Sequence, residues 1–150
     1  MSDGWDAVSD QKSEAGTWVV GDVDGNETAT GVGLAGLAEA FDDKKCQFAA
    51  LKIIGVDQQE NVTSERPKIV QINWVGPKVP VMKKMGALQG KQKYAGKWGG
   101  IGSSFDIGLR EDITMVSICK KILAAGGAHK PTHYSFGAES VPLADLYNEN

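Results

Sequence analysis

Four short stretches carry residue types at spacings that could do chemistry. Gly31, Gly33 and Gly36 in TATGVGLAGLAE form G-x-G-x-x-G, the pattern that seats a dinucleotide pyrophosphate on a helix N-terminus. That chemistry needs a buried strand before the glycines and an acid ~20 residues later for the ribose. Asp57 sits near the acid's place, but NETAT at 26–30 is too polar for a central parallel strand, and two nucleotide-binding halves would overrun 150 residues. The glycines are therefore read as turn and packing residues. Gly86-Ala-Leu-Gln-Gly90-Lys91-Gln92 comes near a phosphate loop, yet it is one residue short between its glycines and has Gln92 where a hydroxyl should hold magnesium. Asp22-x-Asp24-Gly25-Asn26 begins like a calcium loop, with its glycine two positions early and no closing glutamate, so a hairpin turn is expected. His129 and His133 have the four-residue spacing of metal ligands on a helix, but Pro131 between them forbids that helix and no third ligand is near. With no G-x-S-x-G elbow, no C-x-x-C pair and histidines only near the C-terminus, acid–base or nucleophilic catalysis has little to draw on. No catalytic residue, cofactor or metal is expected.

Charge points instead to a binding surface. Residues 1–45 hold ten acids against three lysines, a balance of −7 inside a net charge of −3. Residues 66–97 hold Arg66, Lys68, Lys78, Lys83, Lys84, Lys91, Lys93 and Lys97 and no acid. Half of the 16 basic residues thus fall in one stretch, which points to an acidic partner (protein, anionic lipid or nucleic acid), the alternative being a solvated lysine-rich face. Composition sets the frame: 41% hydrophobic and 23% charged residues are those of a soluble globule. No apolar run approaches the ~20 residues that span a bilayer. The acidic start MSDGWDAVSD lacks the features of a secretory signal, so the expected location is cytosolic and the Asn61-Val62-Thr63 sequon is without consequence. Cys46 and Cys119 lie in apolar surroundings and are expected as free, buried thiols.

The elements that must position the basic stretch follow from periodicity. Trp18-Val19-Val20 with Asp24-Gly25-Asn26 reads as a strand entering a hairpin. Leu34, Leu37, Ala38 and Phe41 recur at helical spacing and stop before Asp42-Asp43-Lys44-Lys45. Strands are expected at Cys46–Gly55 and Lys68–Val75, joined by a long hairpin loop over VDQQENVTSERP. A helix is expected from about Pro80, packing Val81, Met85, Leu88 and Ala95 on one side and weakened by Gly86, Gly90 and Gly96, each costing about 1 kcal/mol relative to alanine. Ser104–Ile107 reads as a short strand. Glu111 to Ala125 follows the helical template through Met115, Ile118, Cys119, Ile122 and Leu123 and stops at Gly126-Gly127. The remainder reads as a loosely attached tail over 131–150. The order predicts one α/β domain, over 5–130, with a mixed sheet.

Lys68-Ile-Val-Gln-Ile-Asn-Trp74-Val-Gly76 resembles the central strand of actin-depolymerising-factor homology domains, the cofilin-like family, and Pro80-Val81 with Lys84-Met85 and Lys91 is similar to that family's actin-binding helix. Trp18-Val19, Asp24-Gly25 and Ala125-Gly126-Gly127-Ala128 give it a likeness to the coactosin branch. The resemblance implies a central mixed β-sheet flanked by helices on both faces, and a non-enzymatic, monomeric, cytoskeletal protein that binds actin filaments in preference to monomers and modulates filament dynamics. It implies contacts through Lys68, Lys83, Lys84, Met85, Lys91 and Lys93, with weak anionic-lipid binding as a side property and no nucleic-acid partner. At 100° per residue Lys84 and Lys91 differ by ~20° in azimuth, with Tyr94 and Lys83 extending the same exposed edge. An interaction domain of the same fold that has changed partner, to a non-actin protein or anionic lipid, is the alternative.

Overall fold

A computed structural model describes residues 3–124, 131–137 and 139–143. The chain runs α1 (Asp3–Ser9), β1 (Thr17–Gly21), β2 (Glu27–Val32), α2 (Leu34–Ala40), β3 (Cys46–Gln58), β4 (Thr63–Val75), a 3-10 turn (Val81–Lys84), α3 (Met85–Lys97), β5 (Ser103–Ile107), a second 3-10 turn (Arg110–Asp112), α4 (Met115–Ala124), β6 (His133–Ser135) and β7 (Ser140–Pro142). The sheet order is β2-β1-β3-β4-β5, antiparallel except for the parallel β4/β5 pair. This is the mixed sheet that the order of elements predicts.

Alternation along the central strands makes two cores. Trp18, Val20, Ala49, Leu51, Ile53, Val70, Ile72 and Trp74 point to one face and are covered by α2 and α4 through Leu37, Ile118, Cys119 and Ile122. Val19, Phe48 and Ala50 point to the other, where Val8 of α1 and Tyr94 and Trp98 complete the packing. Strands covered on both faces need apolar residues at every position, and β1 is buried throughout. β2, at the edge, alternates between half-buried and exposed, so ETAT at 27–30 does lie in a strand, of the polar antiparallel kind.

Seven residues are too few for a helix to stand alone. α1 is held at both ends by charge of the sign that its dipole favours. The Glu27 carboxylate accepts from the backbone N–H of Gly4 (2.9 Å) and Trp5 (3.3 Å). Lys52, only 2% exposed, donates from Nζ to the carbonyls of Asp10 and Ser13, both at 2.8 Å. Burial pushes the Lys52 amine below its usual range, with Asp10 partly opposing.

Three expectations need correction. The expected loop over residues 56–67 is mostly strand: β3 and β4 stay paired from Cys46↔Val75 to Gln58↔Thr63, because backbone pairing continues past the last apolar residue. The last helix begins at Met115, with the Thr114 hydroxyl accepting from the Ser117 N–H (3.2 Å) as its cap, while residues 110–112 form the separate 3-10 turn. Ala125-Gly126-Gly127-Ala128 lies outside the described residues. Finally, of the expected tail over 131–150, residues 131–137 and 139–143 are not loose, and 144–150 lie outside the described residues. β6 pairs with Ile54–Val56 on the edge of β3 that β1 leaves free beyond Leu51, and Tyr134, Phe136 and Val141 enter the larger core. Tyr134 and Phe136 are spaced as on a strand, but two alternating apolar residues are too short a signal to show this docking in advance.

Both cysteines are free and buried. Burial pushes the Cys119 thiol up from 9.0 to about 12. An unfolded thiol loses its proton first, so the folded state holds more protons above pH 9 and stability falls between about pH 9 and 12. Alkylation at pH 8 is expected to modify Cys119 only as fast as the chain unfolds. Labelling of Cys119 in the native protein as fast as in urea would contradict this assignment.

Candidate interaction surface

The glycine motif is settled by what surrounds it. Gly31 lies in β2 opposite Trp18, and a Cβ there would come 2.5 Å from the indole. Gly33 starts α2 with φ +103°, and its carbonyl accepts from Trp18 Nε1 at 2.8 Å. A Cβ on Gly36 would stand 3.4 Å from the same ring. Gly31 makes room for the Trp18 ring, Gly33 supplies the positive φ and a carbonyl for its indole N–H, and Gly36 lies in contact with it. Residues 86–92 are helical in α3 and follow a 3-10 turn, whereas a phosphate loop needs an open loop between a strand and a helix. Asp22 Oδ1 accepts from the N–H groups of Asp24 (2.9 Å) and Asn26 (3.0 Å), which spends the carboxylate on the hairpin turn. His133 sits in β6, and His129 is outside the described residues.

The basic stretch is built around Pro80. Its extended backbone (φ −61°, ψ 145°) turns the chain, the Lys83 N–H reaches back to the Pro80 carbonyl at 2.9 Å, and the tight turn hands over to α3 at Met85. The face that α3 buries is not the expected one. Val81, Met85 and Leu88 are 79%, 80% and 60% exposed, and Ala95 is exposed too, while Gly90, Tyr94 and Trp98 face the sheet. Tyr94, expected on the exposed edge, is fully buried; its hydroxyl donates to the Asp22 carbonyl at 2.7 Å and its ring stacks on Phe48.

The reason is steric. A Cβ on Gly90 would run into the Phe48 ring, so α3 lies close to the sheet only where it carries a glycine. The residue that weakens the helix by propensity is the one that lets it dock. Docking through Gly90 and Tyr94 rotates the aliphatic residues outward, and Met82, 86% exposed, joins them. Exposed Val81, Met82, Met85 and Leu88 interleaved with exposed Lys83 and Lys84 form a mixed apolar and basic surface.

The six residues expected at the contact divide accordingly. Lys83, Lys84 and Met85 lie together at the start of α3. Lys91 is half-buried farther along and pairs with Asp106 at 3.4 Å. Lys93 Nζ reaches the Asp24 carbonyl at 3.4 Å, beside Lys97, which holds the Gly25 carbonyl at 2.7 Å, so both tie α3 to the β1/β2 turn. Lys68 stands opposite Ile53 in β4, beside Gly100 to Ser103 at the far end of α3. Thirteen helical residues span ~20 Å, so Lys68 is not part of the same cluster.

Sequence spacing missed the other wall. A groove of about 530 Å³ opens beside Met82 and Lys83, walled by Val79, Val23 of the β1/β2 turn, and Lys44 and Lys45 of the loop before β3. The Cys46 thiol at its base donates to the Lys83 carbonyl (3.9 Å), and burial raises its pKa against the opposing pull of Lys84. Lys44 and Lys45 look in sequence like a helix end; only folding brings them beside residues nearly forty positions later.

The chain matches a family model described as cofilin/tropomyosin-type actin-binding protein over residues 2–123. No curated protein sequence matches it. Among solved structures it is similar to human coactosin-like protein, with TM-score 0.69 and 18% identity over 81% of this chain and 91% of that one. Coactosin from Entamoeba histolytica gives TM-score 0.65 and 22% identity, covering 83% and 91%. Mouse coactosin, described as an actin filament binding protein, gives 0.62 and 22%, covering 83% and 87%. At these identities the structural likeness speaks for the fold, a cofilin-like mixed sheet with helices on both faces.

Proposed function

The chain belongs to the family of cofilin/tropomyosin-type actin-binding proteins, and from that premise we propose that it is a non-enzymatic, monomeric protein of the cytoplasmic cytoskeleton that binds actin filaments and modulates their dynamics. The observation that carries the reading is the surface over residues 81–88. Four aliphatic side chains there are at least 60% exposed, set among lysines and beside a groove with two more. Apolar area left in water beside fixed positive charge suits a partner that is acidic at the rim and apolar at the centre. Lys83, Lys84 and Met85 form the centre of the proposed contact, Lys44 and Lys45 extend it, and Lys91 and Lys93 lie along its border. Lys68 would touch a filament only through a second contact, at the other end of α3. A filament offers neighbouring subunits for two such contacts, which favours filaments over monomers.

Co-sedimentation with filamentous actin across a salt series tests this. Raising ionic strength from 0.1 to 1 M shortens the screening length from ~10 to ~3 Å, so pelleting should decline steadily without vanishing, since the apolar part of the contact is not screened. No pelleting even at low salt would remove actin and leave a non-actin protein or anionic lipid as partner.

A further inference from the structure

At the far end of α3 from this surface lies a recess of about 360 Å³, lined by Gln71 of β4, Ala95 and Trp98, the Gly99–Gly102 segment, and Ser103 and Ser104. No charged residue lines it. Among the described residues, two buried side-chain polar atoms have no hydrogen-bond partner: Gln71 Oε1 and Trp98 Nε1. Both belong to residues lining this recess, and both residues are fully buried. One is an acceptor and the other a donor.

The rest of the polar network around them is satisfied. Gln71 Nε2 donates to Asn73 Oδ1 (2.9 Å) and to the Lys91 carbonyl (3.1 Å), and Asn73 Nδ2 donates to Ser104 Oγ (2.8 Å) and Asp106 Oδ1 (3.1 Å). These bonds fix the Gln71 amide, with its nitrogen toward Asn73 and its oxygen left over. Trp98 is fixed as well, between Trp5 at 5.9 Å and Tyr94 at 4.4 Å between ring centroids. A buried donor and a buried acceptor left unpaired are costly and call for an explanation.

We propose that this recess is a binding site for a neutral carboxamide, whose carbonyl accepts from Trp98 Nε1 and whose N–H donates to Gln71 Oε1. A carboxylate offers no donor for Gln71 and an ammonium no acceptor for Trp98, and neither finds a counter-charge in the lining. The indole and Ala95 supply the apolar wall for the small body of such a ligand. Both orphan atoms are closed off from solvent, so entry needs a shift of the Gly99–Gly102 segment. Nothing lies within 4 Å of where side chains at Gly99 and Gly100 would project, and the N–H of Gly102 to the Ile69 carbonyl (2.8 Å) anchors the segment's end. The carboxamide is either a free small molecule or the side chain of a partner's Asn or Gln.

Proton–nitrogen spectra of the full chain test this, with the Trp98 indole signal assigned through Trp98→Phe. Titration with acetamide should shift that signal saturably and leave those of Trp5, Trp18 and Trp74 in place, whereas acetate should shift none. Gln71→Met, which removes the acceptor, and Ala95→Leu, which fills the mouth from an exposed helix position, should each weaken the response at least tenfold. Ala95→Leu keeps the test decisive if Gln71→Met fails to fold. Capped glutamine binding at least tenfold more tightly than acetamide assigns the site to a partner's side chain; equal binding assigns it to a free amide. No saturable shift, or a shift unchanged in Ala95→Leu, overturns the proposal.

Discussion

Met82→Ala with Met85→Ala is expected to lower affinity for actin filaments by about 30-fold or more, the loss of ~2 kcal/mol typical of a contact hot spot, while leaving the fold as stable as before. The two side chains are 86% and 80% exposed, so truncation opens no cavity and stability should move by less than ~0.5 kcal/mol. Lys83→Ala with Lys84→Ala should act differently. Charges at the rim of an interface mainly set the association rate and its salt dependence, so this variant should bind more slowly and show a flatter salt curve. Paired melting and pelleting separate the cases. A methionine variant that pellets like wild type would move the contact away from residues 81–88, toward Lys68 and its strand.

Tyr94→Ala is expected to cost ~3–5 kcal/mol, a large part of the stability of a domain this size. The ring is fully buried, stacks on Phe48 (5.2 Å) and sits against Trp98 (4.4 Å), and it fills the core between α3 and the sheet. Its hydroxyl ties α3 to the β1/β2 turn through the Asp22 carbonyl, and burial, helped by the negative charges of Asp22, Glu27 and Asp24, pushes its pKa well above the usual range. Tyr94→Phe keeps the ring and loses the bond, which should cost only ~1 kcal/mol. Thermal unfolding of both variants measures the difference. A Tyr94→Ala protein as stable as wild type would mean that α3 does not dock through this face. Because Lys83 and Lys84 are carried by the start of the same helix, the alanine variant should lose filament binding in proportion to the folded fraction.

The order of elements from β1 to α4, the two free thiols and the segregation of charge could be read from the sequence, because each depends on neighbours within a few residues, whereas α1, β6 and β7 were not read. Alternation in KIVQINWV and the i, i+3, i+4 recurrence from Met115 to Leu123 are local signals, and the strands and α4 formed where they point. The likeness of residues 68–91 to a known family was local too, and the match over 2–123 agrees with it. Which side of α3 is buried was not legible. Periodicity chose Val81, Met85 and Leu88 because they are apolar, but the sheet beneath offers the Phe48 ring, and only Gly90 lets a helix lie that close. Lys44 and Lys45 reached Lys83, and Tyr134 and Phe136 reached the core, through contacts between positions tens of residues apart. A sequence states which residues would gain from burial; how closely two backbones can approach is a property of the packed pair, so tertiary structure alone decided which apolar side chains α3 buried and which it left facing a partner.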